Sequence, residues 1–252
     1  MRPLQTDLSI YRKFNFERPP VGVKFLFHKP EGIEPLGKTL GLCEMLKEAQ
    51  LRGAPFYFTK ENEDCFGKAF LGMMGESPEL GDGGQLGIKF EIFQEAHANS
   101  RSRRFQYNME KGMANYVVLA PLDRITFEPD LLILTAPPSQ AEIVLRAMTY
   151  SSGEMYESKS TCVGGCSWLF IYPYLTGKVN YIITGLAYGM KGRQVFPEGL
   201  LLISIPHNWI PTITQNLREM KWVLPAYTLG REKFIQYEHQ VLDELARECQ
   251  NP

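Results

Sequence analysis

Three times along the chain a short apolar, β-prone run is followed by a segment whose apolar residues recur every three or four positions. This pattern predicts strand-then-helix units. The first copy joins residues 21–27 to residues 39–50, where Leu40, Leu42, Met45, Leu46 and Ala49 fall on one helical face that ends before Gly53. The second joins 130–135 to 138–150, with Ile143, Val144 and Ala147 along one side, and the third joins 200–205 to 208–220. Phe127-Glu128-Pro129 leads into the second copy much as Phe196-Pro197-Glu198-Gly199 leads into the third. Ahead of them, residues 7–16 place Leu8, Ile10, Tyr11 and Phe14 on one face of a short helix that Pro19-Pro20 stops. Residues 116–119 and 180–184 are further strand candidates, and residues 231–248 carry Phe234, Tyr237, Val241, Leu242 and Leu245 at the spacing of a C-terminal docking helix. Strands alternating with helices predict an α/β class, a mixed α+β sheet with helices packed on it.

A finer order recurs within this pattern. Gly53-Ala54-Pro55-Phe56-Tyr57-Phe58-Thr59 leads to Asp64-Cys65-Phe66-Gly67, and Gly153-Glu154-Met155-Tyr156-Glu157-Ser158 leads to Gly165-Cys166-Ser167-Trp168. Each stretch reads as helix end, strand, then cysteine. The expectation is an internally duplicated fold of strand-helix-strand-Cys-helix units, one compact domain over 1–252 built from two pseudo-symmetric halves, 17–125 and 126–220. A two-fold relation would bring Cys65 and Cys166 to one axis, where a shared ligand could sit. The halves differ most between Met73 and Met113, where the first carries the Gly-rich turn Leu80-Gly81-Asp82-Gly83-Gly84 and a polar stretch through Arg104. An insertion of this kind forms a lid or a subunit contact, so a homodimer is one expected arrangement.

Composition narrows the partners. A chain of 252 residues, 44% hydrophobic, can bury a sizeable core, and a net charge of −1 leaves no global field for phosphate backbones or anionic lipids. Ser100-Arg101-Ser102-Arg103-Arg104 is the local exception; it reads as a solvated stretch after a helix, with an anion contact as the alternative. The N-terminal Met1-Arg2-Pro3-Leu4-Gln5-Thr6-Asp7 has no apolar signal region, and no apolar stretch approaches the length of a membrane span. The expectation is a cytoplasmic protein that binds neither nucleic acid nor membrane. Disulfides are rare in that compartment, so Cys43, Cys65, Cys162, Cys166 and Cys249 are expected as free thiols, metal ligands or nucleophiles.

The paired glycines of Cys162-Val163-Gly164-Gly165-Cys166 argue for a loop that opens a helix and lets backbone approach a ligand closely. Cys65, ahead of Phe66-Gly67-Lys68-Ala69-Phe70-Leu71, stands at a second such start. A helix N-terminus lowers a thiol's pKa, so Cys65 and Cys166 are expected to be thiolates at neutral pH. An iron–sulfur cluster takes about four thiolates, and Cys43, Cys65, Cys162 and Cys166 supply that number, although their spacing resembles neither a ferredoxin run nor paired zinc knuckles. Cys43, inside an apolar helical pattern, is the one most open to a plain packing role, and Cys249 reads as an incidental surface thiol. His207 in Ile205-Pro206-His207-Asn208-Trp209 could act as acid, base or metal ligand, but more simply caps a helix; His28 and His97 have no partners in view. Glu63-Asp64 reads as a helix cap, and Trp168 with Tyr172-Pro173-Tyr174 as core aromatics or a pocket wall. No Walker A, dinucleotide fingerprint, serine elbow or H-E-x-x-H occurs.

Pro19-Pro20-Val21-Gly22-Val23-Lys24-Phe25, Cys43-Glu44-Met45-Leu46-Lys47-Glu48-Ala49, Cys65-Phe66-Gly67, Pro121-Leu122, Pro129-Asp130-Leu131-Leu132 and Cys166 occur in this order. In that order the chain resembles the uncharacterised prokaryotic family catalogued as domain of unknown function 169, over roughly residues 10–220. The resemblance implies an anaerobic setting, in which labile clusters and thiols survive. It also implies an Arg two positions before the first Cys, where this chain has Gly41, and a Gly-Cys pair after the late strand, where it has Gly185-Leu186. Cys162 would then substitute for the missing thiol, or the site would have three thiolates. The leading expectation is therefore a cluster, 4Fe–4S in type, held by Cys43, Cys65, Cys162 and Cys166. It would serve electron transfer, redox sensing or binding of a small molecule, with a redox protein or small molecule as partner. The rival is a cluster-free protein binding a small ligand or partner between its halves.

Overall fold

A computed structural model describes residues 1–75 and 84–250. In chain order its strands are β1 (Val21–Leu26), β2 (Phe56–Phe58), β3 (Tyr116–Pro121), β4 (Leu131–Ala136), β5 (Asn180–Ile183) and β6 (Leu201–Pro206). Its helices are α1 (Leu42–Arg52), α2 (Gly67–Phe70), α3 (Gln85–Lys89), α4 (Ala96–Arg104), α5 (Pro138–Ser152), α6 (Tyr172–Thr176), α7 (Tyr188–Gly192), α8 (Ile210–Glu219) and α9 (Arg231–Gln250). A 3-10 helix at Leu8–Phe14 opens the chain, and a π-helical turn at Ser167–Ile171 runs into α6. Residues 1–218 form one compact unit and the segment from 219, which contains α9, a second. Of the predicted Gly-rich turn, only Gly84 lies within the described residues; it stands at φ +97° ahead of α3.

The fold is of the mixed α/β class, and its strands form one sheet, antiparallel at every pairing, in the order β2-β3-β1-β4-β6-β5. Residues alternate between faces along a strand, and this alternation divides the core. Val21, Val23 and Phe25 of β1, Val117 and Leu119 of β3, Leu131 and Ile133 of β4 and Leu202 of β6 share one buried cluster with Leu42, Met45, Leu46 and Ala49 of α1 and with residues 168–172. The other parity, including Leu132, Leu134, Ile203 and Ile205, is buried outside that cluster, as are Val144, Ala147 and Met148 of α5, which packs on β4 and β6. α5 is joined to α8 where Asn216 Nδ2 donates to the Ala147 carbonyl at 2.8 Å, and to the opening helix where Gln140 Nε2 donates to the Phe14 carbonyl at 2.9 Å. Each such fully buried aliphatic side chain contributes about 1.5–3 kcal/mol, which makes these two layers the main stabilising term.

Helix ends follow from local sequence. The Gly41 N–H donates to Glu44 Oε2 at 2.8 Å, which fixes the start of α1, and Gly53 and Gly153 end α1 and α5 in the left-handed region, both at φ 66°. The predicted strand at 153–158 does not form. Met155 and Tyr156 are exposed, so the segment has no face to bury; it is tied beside β5 by Ser158 Oγ donating to the Tyr181 carbonyl and Lys159 N–H donating to Asn180 Oδ1, both at 2.8 Å. The predicted equivalence of Cys65 with Cys166 fails with it, because Cys65 follows edge strand β2 whereas Cys166 precedes edge strand β5. Read inward from either edge, the strands run edge, middle, centre as β2-β3-β1 and β5-β6-β4. α1 leads into edge strand β2 and the 167–176 segment into edge strand β5, with Cys43 and Cys166 near the starts of these two segments.

Candidate functional site

Three cysteines from three elements open onto one cavity of about 790 Å³: Cys43 in the first turn of α1, Cys65 just ahead of α2, and Cys166 at the entry of the π-helical turn. All five cysteines are free. Cys162 is exposed and off the cavity wall; its carbonyl accepts the Tyr188 N–H at 2.8 Å. Cys249 is exposed on α9. Leu186, expected as the place of a fourth thiol, is 62% exposed and likewise off the wall, whereas its neighbour Ala187 lies on it.

Glu63 assembles this corner. Its carboxylate, 1% exposed, accepts the Leu42 N–H at 3.2 Å through Oε1 and the Cys65 and Lys68 N–H groups at 3.1 Å through Oε2. One side chain thus satisfies orphan donors at the starts of both α1 and α2. Lys68 returns a bond from Nζ to the Glu63 carbonyl at 2.7 Å. Gly67 is required where these groups crowd: a Cβ there would stand 2.7 Å from Glu63 Oε1 and 2.9 Å from Leu42 Cβ. On the Cys166 side, Gly164 adopts φ +71°, and a Cβ would meet the Gln106 amide at 2.7 Å. From the end of α7, Arg193 Nη1 reaches Glu44 Oε2 and, at 2.9 Å, Asp64 Oδ1, holding α1 to the Cys65 loop. Its guanidinium lies 3.2 Å from where a Cβ on Gly41 would be, beside the position that the family resemblance gives to an Arg.

The thiols do not titrate as the helix starts suggested. Hydrogen bonding with Cys166 favours thiolate on Cys43 and lowers its pKa despite burial. The same bond, with burial and the Cys43 charge, pushes Cys166 well above the usual thiol range. Burial, and after it the nearby Glu63 carboxylate, raises Cys65 against the N–H bond it accepts from Phe66. Burial also raises Glu63, against the backbone bonds it accepts. Burial at Cys65, and the Cys43 bond with burial at Cys166, outweigh the helix starts, and of the three cavity thiols Cys43, read from sequence as the most plainly packed of the set, is the one whose pKa is lowered.

The rest of the wall comes largely from the 73–113 insertion and α7. Leu86, Phe90 and Ile92 supply apolar surface, and Phe90 meets Tyr188 with ring centroids 5.7 Å apart. Arg103, from the basic stretch expected to be solvated, reaches the cavity from α4. Trp168 and Tyr172 belong to the core: the Trp168 indole donates to Thr161 Oγ1 at 2.8 Å, and both rings meet Tyr107. His28, His97 and His207 are exposed away from the cavity; His207 Nδ1 lies 3.7 Å from Glu128, whose carboxylate holds the Gln5 and Thr6 N–H groups. Among the described residues no three His, Cys, Asp or Glu side chains are grouped to hold one metal ion. Among the described residues no helix is long and apolar enough to cross a membrane.

The profile of the family DUF169, described as uncharacterised ArCR, matches residues 9–216. The chain belongs to this family. A protein of Methanocaldococcus jannaschii, itself described as uncharacterized, is 29% identical over 211 residues, which cover 82% of this chain and 90% of the relative. No solved structure matches. The segment shared with DUF169 contains Cys43, Cys65, Cys162 and Cys166 and leaves out Cys249.

Proposed function

We propose that this DUF169 chain holds an iron–sulfur cluster of the 4Fe–4S type in the cavity through Cys43, Cys65 and Cys166, and acts in redox chemistry, redox sensing or capture of a small molecule there. The observation that carries this reading is the convergence of three free thiols, far apart in sequence, on one cavity of a size that small ligands occupy. Cluster thiolates bind separate irons and need not converge on a single point, so the lack of a mononuclear site among the described residues leaves the donor set compatible with a cluster. Bound there, such a cluster supplies one-electron transfer and, with three protein thiolates, one iron open to an incoming ligand. Glu63 fixes the backbone of Leu42 and Cys65, so that two of the three sulfurs start from a set position. Arg193 sets a positive charge beside the thiols, and Phe66, Phe70 and Phe90 keep water from part of the wall. Free cysteines in this number favour a reducing, cytoplasmic setting.

Protein purified without oxygen is expected to absorb broadly in the visible and to contain about four iron and four sulfide per chain. Iron and sulfide at background in folded, reconstituted protein would overturn the reading. That second result favours a cluster-free cavity for an apolar small molecule, which the Leu86, Phe90 and Ile92 surface also suits.

A further inference from the structure

Two side-chain amides on the cavity wall are oriented by the backbone around them. Asn99 on α4 and Gln106 in the turn that follows it both line the cavity, seven positions and about two helical turns apart, and so on one side of this segment. Asn99 is 2% exposed, and its Nδ2 donates to the Gly84 carbonyl at 2.9 Å. Gln106 Nε2 donates to the Val163 carbonyl at 3.2 Å. A carbonyl takes only a donor, so each amide is fixed with its nitrogen toward the backbone. Among the described residues no donor then reaches Asn99 Oδ1 or Gln106 Oε1.

A buried acceptor without a donor destabilises a fold, and the group that answers it is water or a ligand. The neighbouring wall suits the ligand. Leu86 and Ile92 are apolar, and the Phe90 and Tyr188 rings stand 5.7 Å apart, surface for a flat ring. We propose that the cavity binds a ring-bearing small molecule that donates N–H or O–H groups to Asn99 Oδ1 and Gln106 Oε1. A carboxylate in that place would face two carbonyl oxygens, and the Arg193 charge is already met by Glu44 and Asp64. The inference rests on the function proposed above only in taking the cavity as a ligand site; the two hydrogen bonds need no iron.

The test uses the full chain purified without oxygen, with iron measured on the same material, and 4-hydroxybenzamide as the probe. That probe carries O–H and N–H donors on a flat ring. 4-Methoxy-N,N-dimethylbenzamide keeps the ring without a donor, and 4-hydroxybenzoate replaces the amide by a carboxylate. Titration followed by ligand-observed NMR is expected to show saturable binding of one 4-hydroxybenzamide per chain, about tenfold tighter than either analogue. Gln106→Met and Asn99→Leu, checked for folding by their urea midpoints, are each expected to weaken the probe about fivefold while leaving the dimethyl analogue unchanged. A damaged wall would weaken both compounds alike, and that result in both variants would overturn the role of the amides. No binding of the probe to wild type, equal binding of the three compounds, or tighter binding of the benzoate would overturn the ligand class. Iron at background with the probe bound as expected contradicts the cluster alone, and iron at about four per chain with no probe bound contradicts this site alone.

Discussion

Glu63 is the residue on which the site's geometry depends most. Its carboxylate takes three backbone N–H groups that the starts of α1 and α2 leave without partners, in a place almost closed to water. Each buried donor left unsatisfied costs about 1–3 kcal/mol. Glu63→Ala is therefore expected to lower the unfolding free energy by at least one such increment, read as a lower urea midpoint with the slope unchanged, and a midpoint equal to wild type would show that water replaces the carboxylate. Sequence identified Glu63 as a cap but not as a cap on two helices, because α1 precedes it by some twenty positions and only tertiary contact brings Leu42 beside it. The same limit explains Cys43 and Cys162. Helical periodicity puts Cys43 among Leu42, Met45 and Leu46, and a cavity wall lined with apolar groups has the same period as a core. The legible signal was Gly41 with Glu44 three positions on, which fixes Cys43 in the first turn of α1. For Cys162 the glycine-rich spacing suggested a ligand, but Gly164 turns the chain so that only Cys166 reaches the cavity.

At the level of elements, the opening 3-10 helix is locked to two helices of the sheet's second face. Tyr11 is fully buried against α8, its hydroxyl 3.4 Å from Thr214 Oγ1, and burial pushes its phenol up to about 12 from 10.0. The folded state thus holds the proton more tightly than the unfolded chain. Stability from this group is intact below pH 10 and is lost as pH rises from there to about 12, in all about 3 kcal/mol. Urea unfolding on either side of pH 10 checks this: Tyr11→Phe should flatten the alkaline loss, and an identical loss in both proteins would assign it to other groups. The strands were legible because their apolar runs are short and bounded by Gly, Pro and polar residues. Their antiparallel pairing was not, since β1, β3 and β4 meet across loops whose course no local pattern records. The strand expected at 153–158 failed because Met155 and Tyr156 look β-prone in isolation yet find no sheet face to cover.

Over the whole molecule, α1 leads into edge strand β2 and the 167–176 segment into edge strand β5, and Cys43 and Cys166 at the starts of these segments both line the cavity. Cys43, Cys65 and Cys166 line one cavity, whereas the two-fold relation expected of Cys65 and Cys166 does not appear. Most of its remaining wall was beyond the sequence, because Phe90, Arg103 and Arg193 come from segments whose polar or irregular pattern carries no period. Iron per chain after anaerobic reconstitution, measured across the serine variants of the five cysteines, tests the central claim most directly. Wild type, Cys162→Ser and Cys249→Ser are expected to load about four iron each, and Cys43→Ser, Cys65→Ser and Cys166→Ser to lose most of it. Equal iron in all five variants, or loss in Cys162→Ser while Cys43→Ser loads fully, would contradict a cluster held by the three thiols of the cavity.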